Sequence, residues 1–301
     1  MNVMKTVHPV TIYHYDAFTN VAGKGNPAGV VLDADQLTAA HMQQIALDVG
    51  FNETVFVCTS QCADFRLVYY TPGHEMNLCG HATIAALTCL LDEKRMVGRT
   101  ALTIETKAGV LPIHIEQGEQ SKRNITMRQD EPQFVPYTGN RGQLASLIGL
   151  TEQELHSNLP IVYGSTGIWT LLVPIARRES FGHMVPHTKA FPEYLLQNPK
   201  ASIHPFCLQT VDPTAFMYAR HFSSPYSGTI EDAVTGTASG VMGAYYLTYM
   251  EPTLTQASFL VEQGYEIGRE GRVKVHVKRP EKGSMEVNIS GTAALVRTWN
   301  W

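Results

Sequence analysis

Glu53, His81 and Asp232 are the residues whose types and positions suit acid–base chemistry in this chain. Glu53 lies in G-F-N-E-T-V-F-V-C, between Phe51 and a β-branched run. A carboxylate at the start of such a strand is partly desolvated, which suits it to proton transfer. Taken alone, Glu53 fits a solvated loop carboxylate better, because most polar residues near strand ends are simply solvated.

His81 stands at a predicted strand–turn–helix junction, Thr71–Leu87, around which the chain is organised. The β-like run Phe65–Tyr70 ends in Thr-Pro-Gly, and Gly80 and His81 then open a helix rich in Ala, Leu and Ile. The first amides of a helix lack intrahelical partners and bind anions. Gly80 leaves these amides accessible, and His81 adds a titratable group beside them.

The same arrangement occurs a second time. The strand-like run Phe216–Phe222 leads into a Gly-rich turn and a helix of small residues, and Asp232 lies near this turn where His81 lies in the first copy. Gly236 follows Gly80 by 156 residues.

Downstream segments repeat in the same order. G-R-V-K-V-H-V at Gly271–Val277 follows the similar G-V-L-P-I-H-I at Gly109–Ile115 by 162 residues. Matching segments at nearly constant spacing indicate two homologous halves. If the halves face each other, two helix N-termini flank one cleft.

Composition restricts the class of partner. The chain has 301 residues, of which 44% are hydrophobic and 17% charged, and a net charge of −4. This length allows two cores. Lys and Arg are scattered, so we expect a small-molecule partner and neither nucleic acid nor a membrane surface. We see no signal-peptide pattern and no apolar run of about 18 residues, so we expect a cytoplasmic protein.

Cysteine and histidine spacing predicts neither a disulfide framework nor a metal site. The five cysteines contain no C-x-x-C, and the twelve histidines contain no H-x-x-x-H pair on a predicted helix. The glycine-rich loop at residues 19–32 lacks the spacing of a dinucleotide fingerprint or a P-loop. A turn is the simpler interpretation of this loop, and a ligand-contacting loop is the alternative.

Other elements follow from hydrophobic periodicity and capping. Val10–Phe18 is predicted as a strand, and Thr38–Val49 as an amphipathic helix capped by Thr38. We also predict a polar hairpin at Gln117–Arg123, a helix at Lys189–Gln197 and a strand at Phe206–Gln209.

Segments along nearly the whole chain resemble the PhzF-like family of phenazine-biosynthesis-type isomerases. These segments are Y-H-Y-D-A-F-T, G-N-P-A-G-V-V, F-N-E-T-V-F-V, Y-T-P-G-H-E-M-N-L-C-G-H-A-T, A-R-H-F-S-S-P with E-D-A-V-T-G-T-A-S-G, and E-Q-G-Y-E-I-G-R. The resemblance implies an α/β (α+β) fold similar to diaminopimelate epimerase. In this fold two pseudo-symmetric halves each wrap a curved sheet around a central helix, and the active site lies between them. We expect halves at 1–130 and 131–290, with the strand at 291–301 joining the first.

The resemblance also implies roles for individual residues. Glu53 matches the acid/base that moves a proton between carbons, so the resemblance reverses the simpler interpretation of this residue. His81 matches a histidine that holds or polarises the substrate. Asp232 matches a second polar or proton-relaying group.

Four further residues are assigned to substrate binding by the same matches: Gly80, Ala82, Gly236 and Thr237. The family often has Pro and Ser where this chain has Ala233 and Thr237. The added methyl group of Thr237 is expected to reshape the pocket.

Cys79 occupies the position of one of the two catalytic cysteines of epimerase and racemase relatives. The mirror position in the second half is Thr235. A two-base racemase needs an acid and a base on opposite faces of one carbon, and losing one thiol disables it. Cys79 is therefore interpreted first as a small buried residue.

The resemblance thus implies an isomerase of the trans-2,3-dihydro-3-hydroxyanthranilate isomerase type. It would hold a substrate carboxylate at the helix N-termini and need neither metal nor organic cofactor, and it is expected to form a homodimer. The alternatives are a Cys79-dependent epimerase or racemase and a non-catalytic scaffold that binds small molecules.

Overall fold

The computed structural model describes residues 9–117 and 123–301. Most of the hairpin predicted at Gln117–Arg123 lies outside these residues. The chain divides into two compact units. Unit 1 contains the chain up to Gly23, Pro27–Ile125 and Thr292–Trp301, and unit 2 contains Lys24–Asn26 and Thr126–Gly291.

Seventeen strands and five α-helices are found in the described residues. The strands are β1 (Thr11–Ala17), β2 (Asn26–Val31), β3 (Glu53–Cys58), β4 (Phe65–Tyr70), β5 (Glu75–Met76), β6 (Ala101–Thr106), β7 (Gly109–Gln117), β8 (Arg123–Arg128), β9 (Gln133–Pro136), β10 (Val162–Ser165), β11 (Trp169–Pro174), β12 (Ser202–Cys207), β13 (Met217–Ala219), β14 (Gln256–Gln263), β15 (Gly271–Lys278), β16 (Glu286–Gly291) and β17 (Ala293–Asn300). The helices are α1 (Ala39–Val49), α2 (Gly80–Asp92), α3 (Arg141–Leu147), α4 (Phe191–Tyr194) and α5 (Gly236–Tyr245). No helix within the described ranges is long and apolar enough to cross a membrane.

In unit 1 the sheet follows a fixed sequence of strand directions. β2 pairs parallel with β3, β3 antiparallel with β4, β4 parallel with β6, and β6 antiparallel with β7. The parallel pair of β4 and β6 needs a crossover, which contains α2. β17 pairs antiparallel with β1, so the end of the chain completes this unit.

Unit 2 repeats the same sequence of directions. β11 pairs parallel with β12, β12 antiparallel with β13, β13 parallel with β14, and β14 antiparallel with β15. Here α5 lies in the crossover between β13 and β14. The predicted fold class of two pseudo-symmetric α/β halves is therefore confirmed, and the helices predicted at the two Gly-rich turns are the central crossover helices.

The central helices are buried on all sides, as their composition requires. Every side chain of α2 from His81 to Leu90 is buried, and α5 has only Thr237 partly exposed. A helix that is apolar all round belongs in a core. At Gly243 a Cβ atom would lie 2.6 Å from Cγ1 of Val275 in β15, so α5 approaches the sheet more closely than a larger residue allows.

Thr38 caps α1 as predicted, whereas the predicted helix at Lys189–Gln197 is wrong and the predicted strand at Phe206–Gln209 has different bounds. Oγ1 of Thr38 accepts a hydrogen bond from the His41 amide at 3.2 Å and so begins α1. The helix predicted at Lys189–Gln197 is reduced to a 3₁₀ turn and the four-residue α4. Pro192 lies in the first turn of α4, where proline is tolerated, so a helix that contains it begins at this point and not at Lys189. The strand predicted at Phe206–Gln209 is β12, which begins four residues earlier and contains Pro205.

Candidate functional site

Glu53 and His81 lie side by side in unit 1. Oε2 of Glu53 is 3.1 Å from Nε2 of His81, and the two side chains are 14% and 9% exposed. By distance this contact is an ion pair, although its angles fall outside those of a good hydrogen bond. Glu53 is the first residue of β3 and pairs with Ala28 of β2, while His81 is the second residue of α2. The structure thus brings two of the predicted site residues into direct contact.

Cys79 completes a group of three side chains at this point. It is the N-cap of α2 and has an extended backbone, and its Sγ lies 3.4 Å from Nδ1 of His81. Burial, and then the nearby carboxylate of Glu53, raise the pKa of the Cys79 thiol. A thiol with a raised pKa stays protonated near neutral pH and is a poor nucleophile.

His81 is surrounded by groups that favour its charged form. Burial acts against the imidazolium, but the electrostatic attraction of Cys79 and Glu53 and their close side-chain contacts outweigh burial, so the pKa of His81 lies well above its usual 6.5. Because the raised thiol pKa keeps Cys79 neutral, we attribute most of the attraction near neutral pH to the Glu53 carboxylate. An imidazolium therefore lies next to the carboxylate.

The N-terminus of α2 supplies backbone donors beside these side chains. The first intrahelical bond runs from the Thr83 amide to the Cys79 carbonyl, so the amides of Gly80, His81 and Ala82 precede it. Oγ1 of Thr83 also donates to the Cys79 carbonyl, at 2.7 Å. Amides at this position, together with the helix dipole, suit an anionic group such as a carboxylate.

In unit 2, Asp232 is held by side chains from two other segments. Its Oδ1 accepts from Nδ2 of Asn26 at 2.8 Å, and its Oδ2 accepts from Oγ1 of Thr235 at 2.6 Å. Nε2 of Gln263 donates to the Asp232 carbonyl at 2.7 Å, and Oε1 of Gln263 accepts from the Thr235 amide at 3.2 Å. Asp232 is thus fixed in position next to the start of α5.

Asp232 was predicted to lie where His81 lies in the first copy, and this correspondence is wrong. Gly236 begins α5 as Gly80 begins α2, and Thr235 is the N-cap as Cys79 is. The residue at the place of His81 is therefore Thr237, whereas Asp232 precedes the N-cap by three residues. The repeat itself aligns Gly236 with Gly80, and this alignment already places Thr237 opposite His81.

The carbonyl of Thr237 is held by the Gly-Ser-Thr-Gly turn at residues 164–167, which begins within β10. Oγ1 of Thr166 donates to the Thr237 carbonyl at 3.0 Å. Thr237 itself is partly exposed, whereas Gly236 is buried. The structure thus places Asp232, Gly236 and Thr237 around the N-terminus of α5, as Glu53, Gly80, His81 and Ala82 surround that of α2.

Two residues that hold Asp232 were missed by the sequence interpretation. Asn26 is fully buried and its Nδ2 also donates to the Val234 carbonyl at 2.9 Å. Gln263 is likewise fully buried. Both residues lie in segments that carry the family resemblance, G-N-P-A-G and E-Q-G-Y. In each segment the amide side chain is next to a glycine, and this pattern could have identified the two residues.

The group in unit 1 also presents donors that a metal ion uses. Glu53, Cys79 and His81 each offer one possible ligand atom, and these three atoms lie within 4.8 Å of one another. Histidine and cysteine spacing predicted no metal site, because one of these donors comes from β3 and the other two from the start of α2.

Comparison with known proteins places the chain in a family. The family profile "Phenazine biosynthesis-like protein" matches residues 15–298. An uncharacterized isomerase, YfhB, of Bacillus subtilis strain 168 is 50% identical over 287 residues, which are 95% of this chain and 97% of the relative. A Bacillus anthracis phenazine biosynthesis protein of the PhzF family has 49% identity and a TM-score of 0.96, with 98% of this chain and 99% of that chain covered.

A more distant relative has a named reaction. The trans-2,3-dihydro-3-hydroxyanthranilate isomerase of Pseudomonas chlororaphis is 26% identical over 287 residues, which are 93% of this chain and 96% of the relative. The match runs through both units, as the profile does. The chain therefore belongs to the phenazine biosynthesis-like (PhzF) family of isomerases.

Proposed function

We propose that this protein is a cofactor-independent isomerase that moves a proton between carbons of a small carboxylic acid, with Glu53 as the acid/base. The contact between Glu53 and His81 is the observation that carries this proposal. A carboxylate 3.1 Å from an imidazole, mostly buried and next to helix N-terminal amides, combines a base with the groups that stabilise developing negative charge.

The proposed reaction has two proton transfers and no change in oxidation state. The Glu53 carboxylate removes a proton from one carbon of the substrate, and the electron pair of that C–H bond moves into a conjugated anion. The resulting carboxylic acid returns the proton to another carbon, which shifts the double bond and restores the carboxylate. Because the same side chain serves as base and then acid, the net reaction neither consumes nor releases a proton.

His81 and the amides of Gly80 and Ala82 stabilise the anion in this proposal. The raised pKa of His81 provides a positive charge beside Glu53, and the amides precede the first intrahelical hydrogen bond of α2. Removing one preorganised donor of this kind typically lowers kcat by about 10²–10³-fold. The substrate carboxylate is the group we expect at these amides.

Asp232, Gly236 and Thr237 serve the same reaction in this proposal. Asp232 acts as a second polar or proton-relaying group, which Asn26 and Thr235 hold in position, and the start of α5 contributes amides in the way that α2 does. We also propose a homodimer, which sedimentation equilibrium would test.

The substrate class follows from the named relative and from the charge of the site. The Pseudomonas chlororaphis relative is named for trans-2,3-dihydro-3-hydroxyanthranilate, an unsaturated cyclic carboxylic acid. We propose this class of substrate, in which the carboxylate supplies the anion for the helix amides. The two chains are only 26% identical, so a panel of cyclic unsaturated acids is the appropriate screen.

The test is turnover without added cofactor. Protein treated with a chelator and dialysed is incubated in D₂O with trans-2,3-dihydro-3-hydroxyanthranilate and the panel of related acids, and ¹H NMR follows deuterium incorporation and double-bond migration. We expect at least one acid to be isomerised at a carbon that also exchanges. Isomerisation that requires an added nicotinamide, flavin or metal would contradict the proposal, as would ligand binding without exchange in the whole panel.

A further inference from the structure

Glu53, Cys79 and His81 present three different metal ligands at one place in unit 1. These are a carboxylate oxygen, a thiol sulfur and an imidazole nitrogen, and the three donor atoms lie within 4.8 Å of one another. Nε2 of His81 is 3.1 Å from Oε2 of Glu53 and 3.9 Å from Sγ of Cys79. The third separation, between the carboxylate oxygen of Glu53 and Sγ of Cys79, is within the same 4.8 Å limit.

These separations fit a small divalent cation. Zinc binds cysteine sulfur at about 2.3 Å and histidine nitrogen or carboxylate oxygen at about 2.0–2.2 Å, usually with tetrahedral geometry. Donor atoms around such an ion are therefore about 3.3–3.6 Å apart. The observed 3.1 and 3.9 Å differ from this spacing by only a few tenths of an ångström, which small side-chain rotations can absorb.

Regular secondary structure positions the three ligands, and two of their side chains are partly exposed to solvent. Glu53 begins β3, and Cys79 and His81 flank Gly80 at the start of α2. The Glu53 and His81 side chains are 14% and 9% exposed. The buried Oε2 of Glu53 accepts no hydrogen bond of good geometry from the described residues. Three protein ligands and an open fourth position are typical of zinc sites that exchange a water or substrate.

We propose that Glu53, Cys79 and His81 form a binding site for a thiophilic divalent cation, for which Zn²⁺ is the best fit. Sulfur and imidazole donors together select zinc over magnesium or calcium, which prefer oxygen. On binding, coordinate bonds form to Sγ, Nε2 and Oε2, and the thiol proton and any imidazolium proton pass to solvent. Nothing is oxidised or reduced.

The cation would inhibit the proposed reaction. It would occupy the carboxylate lone pair that must accept the substrate proton, and it would neutralise the charge that Glu53 gives to the site. This consequence depends on the proposed function of Glu53, whereas the binding itself does not.

The binding is tested with cobalt as a visible substitute for zinc. Metal-free protein without an affinity tag is titrated with Co²⁺ under anaerobic conditions and monitored by absorption. We expect one equivalent to bind with a thiolate-to-cobalt charge-transfer band and intense d–d bands of tetrahedral cobalt, and we expect Zn²⁺ to displace it. No saturable band in the wild-type protein would overturn the proposal.

Two cysteine variants identify the ligand. Cys79→Ser should abolish the charge-transfer band and weaken Zn²⁺ binding by at least about tenfold, and serine is also a good N-cap for α2. Cys62 is exposed and makes the matched control, so Cys62→Ser should keep the band. A band that survives in Cys79→Ser or disappears in Cys62→Ser would overturn the site.

A second measurement covers the case in which Cys79→Ser does not fold, which circular dichroism would reveal. In the wild-type protein, at an alkaline pH at which the metal-free protein is alkylated at Cys79, Zn²⁺ should slow alkylation of Cys79 relative to Cys62, as measured by mass spectrometry of peptides. Equal alkylation of Cys79 with and without Zn²⁺ would contradict the proposal.

The outcomes separate this inference from the proposed function. Inhibition of proton exchange by Zn²⁺, reversed by a chelator, would support both. If metal-free protein shows no exchange and Zn²⁺ restores it, the cofactor-free reaction is wrong and the metal site stands. If exchange proceeds and no cobalt band forms, only the metal site fails.

Discussion

Cys79 and Thr235 occupy equivalent positions at the starts of the two central helices. Each is an extended N-cap, and each carbonyl accepts a side-chain hydroxyl from four residues later: Thr83 Oγ1 at 2.7 Å and Ser239 Oγ at 2.9 Å. The duplicated halves therefore keep the same helix start while only one of them carries a thiol. A two-cysteine racemase mechanism would need a thiol at both positions.

Cys79→Ser tests this point directly. We expect kcat/KM for the isomerisation to fall by no more than about tenfold, or about 1.4 kcal/mol, because Glu53 and His81 remain in place. The fall reflects the altered contact between residue 79 and His81. Steady-state kinetics with the substrate from the screen measure it, and a loss of about 10³-fold would favour the cysteine-dependent alternative.

His81 is expected to titrate above its usual range because of Glu53. Histidine-selective ¹³C or ¹⁵N NMR should give a pKa for His81 well above 6.5 in the wild-type protein. Glu53→Gln should lower this pKa, whereas Glu105→Gln, which alters a partly buried carboxylate of β6 bonded to Ser60, should leave it unchanged. Equal His81 pKa values in the wild type and Glu53→Gln would show that Glu53 does not stabilise the imidazolium.

The same shift predicts the direction of a stability change with pH. The folded state holds the His81 proton more tightly than the unfolded state, so this contribution to stability is fully present below pH 6.5 and declines as pH rises through the folded pKa. His81→Gln removes the contribution. We expect the difference in free energy of unfolding between the wild type and His81→Gln to shrink on going from pH 6 upward. Urea titrations at several pH values measure it, and a difference that grows with pH would contradict the sign.

Asn26 is expected to act through Asp232. Asn26→Ala removes the hydrogen bonds to the Asp232 carboxylate and the Val234 carbonyl, and we expect it to lower kcat more than it changes KM. Asp232→Asn should lower kcat by about 10²–10⁴-fold if Asp232 relays a proton. The two effects should be strongly non-additive in the double variant, because they disturb one group. Asn158→Ala, at an exposed position, serves as the control, and additive effects would show that Asn26 acts elsewhere.

Gly243 is predicted to be essential for packing in unit 2. The Cβ of Gly243→Ala would lie 2.6 Å from Cγ1 of Val275, so we expect a loss of about 1–3 kcal/mol despite the better helix propensity of alanine. Gly182→Ala is the control, because no atom lies within 4 Å of the added Cβ there and its φ is negative. Thermal and urea unfolding compare the two, and equal stabilities would contradict the close approach of α5 to the sheet.

The sequence contained most of the fold because its signals are local. The β-like run Phe65–Tyr70 gives β4 at the predicted residues, and Thr38 begins α1 as its capping role requires. Gly80 and Gly236 begin the two central helices. The repeat offsets correctly indicated two halves of the same strand order.

The side-chain contacts of the candidate residues could not be predicted in the same way. Asn26 and Asp232 are 206 residues apart, and no local pattern indicates that their side chains meet. Glu53 and His81 come together because β3 and α2 pack in one unit, which depends on the whole sheet. The helix predicted at Lys189–Gln197 was wrong for a different reason, since Pro192 is compatible only with the first turn of a helix.

Solvent exchange by Glu53→Gln is the most direct test of the central proposal that Glu53 carries the proton. Glutamine keeps the size of the side chain but cannot accept and return a proton. In D₂O with the substrate from the screen, we expect the wild type and Glu105→Gln to incorporate deuterium at the isomerised carbon, and Glu53→Gln to do so at least about 10²–10⁴-fold more slowly with an unchanged circular dichroism spectrum. Deuterium incorporation by Glu53→Gln at the wild-type rate would contradict the account.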